Sequence, residues 1–184
     1  MQTVWEKAVE ELQLKRISDC LFIPRYDGFS LPNLSNSLMK LMGVKPSGRI
    51  LRNNVLTDFK KTSKIVLIIM DAMGLNVFEK ASETLKHFLN SLFTKRGIPI
   101  NALTSVFPTT TSAALTSLNT GLSPQEHGVV AYTLFMKELG SMVNMISLSP
   151  VNDERRSRVF ELGMDADKIL GVKTLTEKLA EAGV

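Results

Sequence analysis

Three consecutive threonines, Thr109, Thr110 and Thr111, follow Pro108 and precede the run SAALTSLNT, which Gly121 closes. A threonine hydroxyl attacks an electrophile such as phosphorus once a base or a cation draws off its proton. Proline followed by threonines marks a helix start, and glycine after the last periodic residue marks its stop. The residues before Pro108 read as a strand, so the hydroxyls fall where a strand gives way to the first turn of a helix. The first N–H groups of that turn lack intrahelical partners and carry the positive end of the macrodipole, which holds an anion such as phosphate. Capping of the helix is the alternative use of the same side chains.

Asp71 is the second chemical residue. It ends the apolar run KIVLIIM and is followed by Ala72-Met73-Gly74. An aspartate on a rigid strand end is a hard oxygen ligand suited to a divalent cation; forming a turn or capping a helix is its bland use. The chain has two histidines, His87 and His127. His87 reads as a surface or packing residue in mid-helix.

These residues need elements to position them. Lys64–Met70 is a continuous apolar, β-branched run, the pattern of a strand covered on both faces in a parallel sheet. A helix over Val77–Leu92, a strand over Ile98–Val106 and the threonine-led helix follow. The alternation predicts an α/β fold with a doubly wound, mostly parallel sheet and flanking helices. Ligands bind such sheets beyond the carboxyl ends of the strands, where both Asp71 and Thr111 fall. Upstream, Val4–Arg16 reads as an amphipathic helix, Pro24–Pro32 as a loop and Asn33–Met42 as a second helix. Downstream, Thr133–Pro150 reads as a β-hairpin around Glu138-Leu139-Gly140, Asn152–Arg158 as a solvated charged turn, and Lys173–Ala182 as an amphipathic helix. Residues 1–63 are thus an N-terminal helical and loop extension packing on a core that occupies 64–184. The final Gly183-Val184 reads as entry into a further strand, so the chain is expected to be the N-terminal part of a longer protein.

Composition narrows the class. Apolar content of 44% and charged content of 22% suit a globular chain, and a net charge of +4 with scattered basic residues shows no nucleic-acid footprint. The single cysteine, Cys20, fits a reducing compartment. The N-terminus lacks a signal-peptide pattern and no apolar stretch approaches a membrane span. The expectation is a cytoplasmic protein with no membrane partner.

The segment from Thr104 to Tyr132 resembles the nucleophile motif of the alkaline phosphatase superfamily, in its type I phosphodiesterase/nucleotide pyrophosphatase branch. There the nucleophile starts a helix and lies nine positions before the threonine of a Thr-Gly pair; here Thr120-Gly121 leads back to Thr111. Pro124, His127 and Gly128 match the Pro-x-x-His-Gly signature, and KIVLIIMDAMG is similar to the segment bearing a metal-ligating aspartate. The resemblance implies a metal-dependent phosphoesterase, most simply a phosphodiesterase or nucleotide pyrophosphatase. Thr111 would attack to give a phosphothreonine intermediate, with Thr109 and Thr110 as alternatives. It implies two divalent cations, zinc first and manganese or magnesium otherwise, with Asp71 and Thr111 among their ligands. It also implies substrate contacts from Thr110 and Tyr132, and a phosphate-ester small molecule, such as a nucleotide, as substrate. Ala72 stands where the family often has glycine, and Tyr132 where it often has asparagine. The family's later Asp-x-x-x-His and Asp-His motifs do not occur after Tyr132, and the sulfatase pattern Cys-x-Pro-x-Arg is absent. A phosphomonoesterase or phosphomutase of the same superfamily, or a non-catalytic anion-binding α/β module, are the competing functions.

Overall fold

The computed structural model describes residues 4–19, 21–52, 64–84 and 100–184. Cys20, His87 and the distal part of the expected Val77–Leu92 helix lie outside these residues. The chain divides into two compact units, residues 1–13 with 65–102, and residues 14–64 with 103–184.

In the first unit, α1 (Val4–Leu12) buries Ala8 and Leu12. It ends earlier than the expected Arg16 because Gln13 takes φ 46°, a left-handed conformation that stops a helix. The expected strand Lys64–Met70 is not formed. Its residues run without a ladder, and Val66 and Ile68 are 87% and 78% exposed. A strand inside a parallel sheet needs neighbours at its edges and cover on its faces. The neighbour expected at Ile98–Val106 begins outside the described residues. Its described part makes one isolated parallel bridge, Thr104 with Ser30.

In the second unit, β1 (Lys15–Ser18) and β2 (Leu21–Ile23) pair antiparallel. Helix α2 (Leu31–Leu41) starts two residues before the expected Asn33, because Pro32 is favourable at the first helical positions. Ser30 precedes it, and the Asn33 carboxamide oxygen accepts from both the Ser30 backbone N–H (3.0 Å) and its hydroxyl (2.6 Å). In the first unit again, α3 spans Leu75–Thr84. The threonine-led helix α4 (Thr111–Thr120) packs on α2 and on the short α5 (Pro124–His127).

The hairpin expected after Tyr132 is present. Strands β3 (Thr133–Met136) and β4 (Ser141–Asn144) pair antiparallel with Thr133 opposite Asn144, and β5 (Ser149–Pro150) adds to β4. Its inner face builds a core of Val129, Met136, Val143, Met145, Val159 and Met164. Helices α6 (Arg158–Glu161) and α7 (Ala166–Leu170) close that core through Val159, Ile169 and Leu170. Helix α8 (Leu175–Glu181) begins on a capping box in which Glu177 accepts from the Thr174 backbone N–H and hydroxyl. Helix and strand content is therefore mixed, and the sheets among the described residues are small and antiparallel. The parallel, doubly wound sheet is not formed by them. No helix among the described residues is long and apolar enough to cross a membrane.

Candidate active site

The threonines are reached through a segment pinned at successive points. Thr104 donates its N–H to Phe29 O at 2.8 Å, and its hydroxyl accepts from Arg25 N–H at 2.8 Å. Val106 is fully buried, and the Phe107 N–H donates to the Tyr26 hydroxyl at 3.0 Å. The Phe107–Pro108 bond is cis. Thr109 is exposed, Thr110 is the N-cap of α4 in an extended conformation, and half-buried Thr111 is its first helical residue. The Thr110 Oγ1 accepts from Ala113 N–H at 3.3 Å and lies 3.1 Å from Ser112 Oγ. Of the two uses of the triplet read from sequence, capping belongs to Thr110.

The far end of α4 is held by residues with no sequence signal. Gly121 takes φ 73° at the helix stop, and a Cβ there would meet Asn36 Oδ1 at 2.9 Å. Buried Asn36 donates to Gly121 O at 2.7 Å and Pro32 O at 3.0 Å, and accepts from Ser47 N–H (2.9 Å) and Gly48 N–H (3.0 Å). The Ser35 hydroxyl donates to Leu118 O at 2.6 Å, and Lys178 Nζ on α8 donates to Thr120 O at 3.2 Å. A carbonyl at a helix C-terminus is a natural acceptor for such donors.

His127 of the Pro-x-x-His-Gly signature is 3% exposed. Its Nδ1 accepts from Val129 N–H at 3.1 Å, so the neutral ring carries its proton on Nε2, which lies 2.9 Å from Ser117 Oγ on α4. Burial pushes its pKa below the usual imidazole value, against an opposing pull from its backbone contacts and from Glu126. It therefore ties α4 to the following chain as a neutral group. The Ser112 hydroxyl makes a second tie, donating to Ala131 O at 2.9 Å. Tyr132, next in the chain, exposes its side chain while its carbonyl accepts from Met145 N–H at 2.9 Å. Serines on the inner face of a short helix were the one available hint of these ties.

Asp71 belongs to the first unit, whereas Thr110, Thr111 and Tyr132 belong to the second. It is exposed, and its Oδ1 accepts from Ala72 N–H at 2.8 Å. Ala72 takes φ 57°, a conformation glycine adopts without steric cost. The departure from Asp-Gly thus falls on a position whose backbone favours glycine. Among the described residues no three His, Cys, Asp or Glu side chains gather. They do not by themselves compose the expected two-cation centre. Arg155 and Arg158 of the charged turn are engaged by Asp153, at 2.7 and 3.4 Å, and also pair with Glu161. Those contacts, led by the hydrogen bond from Arg155, bring the Asp153 pKa down to about 2. An apolar cleft of about 210 Å³ lies beside Phe107, walled by Ile17, Phe22, Ile23, Tyr26 and Gln125.

Comparison with curated proteins and with solved structures gave no match. A family model, type I phosphodiesterase / nucleotide pyrophosphatase, matches residues 65–169. That span covers more than half of the chain and includes Asp71, the threonine triplet and the Pro-x-x-His-Gly signature. The chain belongs to the type I phosphodiesterase/nucleotide pyrophosphatase family, within the alkaline phosphatase superfamily.

Proposed function

We propose that this chain carries the nucleophile half of a metal-dependent phosphoesterase that cleaves phosphodiesters or nucleotide pyrophosphates through Thr111. The observation that carries this is the position of Thr111 as first residue of α4, beside a different threonine that already serves as cap. Thr111 Oγ attacks phosphorus in line with the leaving ester oxygen and loses its proton to solvent. The phosphorus–oxygen bond to the leaving group breaks. That oxygen departs with the bonding electrons and is protonated by water. Water then attacks the phosphothreonine at phosphorus, releasing phosphate ester and restoring the threonine hydroxyl. Backbone N–H groups of the first turn meet the charge that gathers on the equatorial oxygens. Thr110 meets the phosphate through its backbone N–H, its hydroxyl being engaged as cap, and the Tyr132 hydroxyl donates to a phosphate oxygen.

Among the described residues, Asp71 and Thr111 are the oxygen donors offered to divalent cations in this proposal, zinc first, with manganese or magnesium as alternatives. In the same proposal residues 64–184 belong to a doubly wound α/β phosphoesterase core, and 1–63 is its N-terminal extension. The packing of α2 on α4 supports the second point. A reducing, cytoplasmic setting suits Cys20.

The test is hydrolysis of bis(p-nitrophenyl) phosphate and p-nitrophenyl phosphate by the wild-type protein and by Thr111→Ala. Faster turnover of the diester, abolished in Thr111→Ala, is expected. Preference for the monoester would make the protein a phosphomonoesterase or phosphomutase of the superfamily. Phosphate binding with no turnover of either ester would make it an anion-binding module.

A further inference from the structure

We propose that Ser112 is a positioning residue that decides which of the adjacent threonines acts as nucleophile, by committing the hydroxyl proton of Thr110. The inference rests on the assignment of Thr111 above and goes beyond it by naming the residue that holds Thr110 in its capping role. Three threonines in a row offer nearly identical chemistry, so selection must come from their surroundings.

A proton inventory supplies it. Ser112 is 2% exposed, and its hydroxyl donates to Ala131 O at 2.9 Å. A carbonyl only accepts, and a serine has one hydroxyl proton, so that proton is spent. The Thr110 hydroxyl lies 3.1 Å from the same Ser112 oxygen. Thr110 must therefore be the donor in that contact. Its oxygen also accepts from Ala113 N–H at 3.3 Å. Thr110 thus gives its proton along the chain and turns its oxygen toward the helix amide. To attack phosphorus it would have to leave both partners and uncap α4.

The acceptor end of this relay is fixed. Two residues before Ala131, the Val129 N–H donates to His127 Nδ1 at 3.1 Å, and just after it the Tyr132 carbonyl accepts from Met145 N–H at 2.9 Å. The relay therefore orients the first turn of α4 against chain that cannot easily follow a misdirected threonine. Replacing Ser112 by alanine leaves the Thr110 proton without its acceptor and frees that hydroxyl to turn outward.

The experiment is to incubate wild type, Ser112→Ala and Ser112→Cys with bis(p-nitrophenyl) phosphate, quench in acid, and locate the p-nitrophenylphosphoryl ester of threonine by mass spectrometry. Amide exchange at Ala113 is measured on the same proteins. Cysteine keeps the buried volume with a weak donor, so it serves even where the alanine variant fails to fold. The expected result is the p-nitrophenylphosphoryl group on Thr111 alone in wild type and a share of it on Thr110 in both variants. Loss of the cap bond should speed Ala113 exchange roughly fivefold. Label confined to Thr111 in both variants overturns the selection while leaving Thr111 as nucleophile. Label on no threonine in wild type overturns the phosphoesterase assignment and the selection with it.

Discussion

The chain carries its two chemical residues on supports of opposite character. Around the threonines, buried and half-buried hydrogen bonds hold α4: Asn36, Ser35 and Lys178 at its C-terminus, Ser112 and His127 along its inner face. Around Asp71, the preceding apolar run is exposed and unladdered, and the aspartate's carboxylate accepts from the amide of the next residue. The threonine end is held by hydrogen bonds from residues as many as 85 positions away within its own unit. The aspartate end has the composition of a buried strand without the cover such a strand requires. Local chemistry starts and stops α4, but distant side chains hold it in place, and the run before Asp71 lacks a strand ladder among the described residues.

The comparison can be broken most severely at Asp71. If the aspartate is a cation ligand despite its exposed support, Asp71→Asn should lower diester turnover by at least about 100-fold and reduce bound divalent metal. Metal analysis beside the kinetics checks this, and an unchanged metal content with full activity would leave Asp71 as a turn former. Next comes the hub of the threonine end. Asn36→Ala strands the Gly121 and Pro32 carbonyls and the Ser47 and Gly48 amides, and should cost about 3 kcal/mol in denaturant unfolding. Substitution of Gly121 by alanine combines a left-handed φ of 73° with a Cβ 2.9 Å from Asn36 Oδ1, and should cost about 1–2 kcal/mol.

A smaller effect follows from His127. Its folded pKa is depressed by burial, so the unfolded chain binds the proton more readily. The stability tied to the neutral ring is complete above the unfolded imidazole pKa, near 6.5, and is lost as pH falls from there to the lower folded value. The slope from this one group is at most about 1.4 kcal/mol per pH unit. Unfolding curves between neutral and mildly acid pH should show it in wild type and not in His127→Gln. The smallest effect belongs to Arg155→Ala. Its guanidinium is exposed and engaged by Asp153 and Glu161, so diester turnover should be unchanged; a marked loss would bring the charged turn into the site.

What was legible in the sequence follows the same division. The stop at Gly121, the helix led by the threonines and the hairpin after Tyr132 were readable because each depends on neighbours in sequence: a proline, a glycine, an alternating run. The strand at 64–70 was read from apolar composition alone, and composition cannot supply the flanking strands that make a sheet. Gln13 stops α1 by adopting a positive φ that its residue type does not announce. Asn36 could not be foreseen, because nothing local distinguishes an asparagine that bridges to Gly121 from one facing solvent. Among the site residues, the spacing to Thr120-Gly121 singled out Thr111, but the commitment of Thr110 to the cap emerged only from its distances to Ala113 and Ser112.

The most direct test of the central claim is a rapid-quench measurement on the wild-type protein with bis(p-nitrophenyl) phosphate. A burst approaching one p-nitrophenolate per chain, with a matching phosphoryl ester on the peptide containing Thr111, is the predicted result. Steady turnover with no burst and an unmodified Thr111 peptide would contradict it.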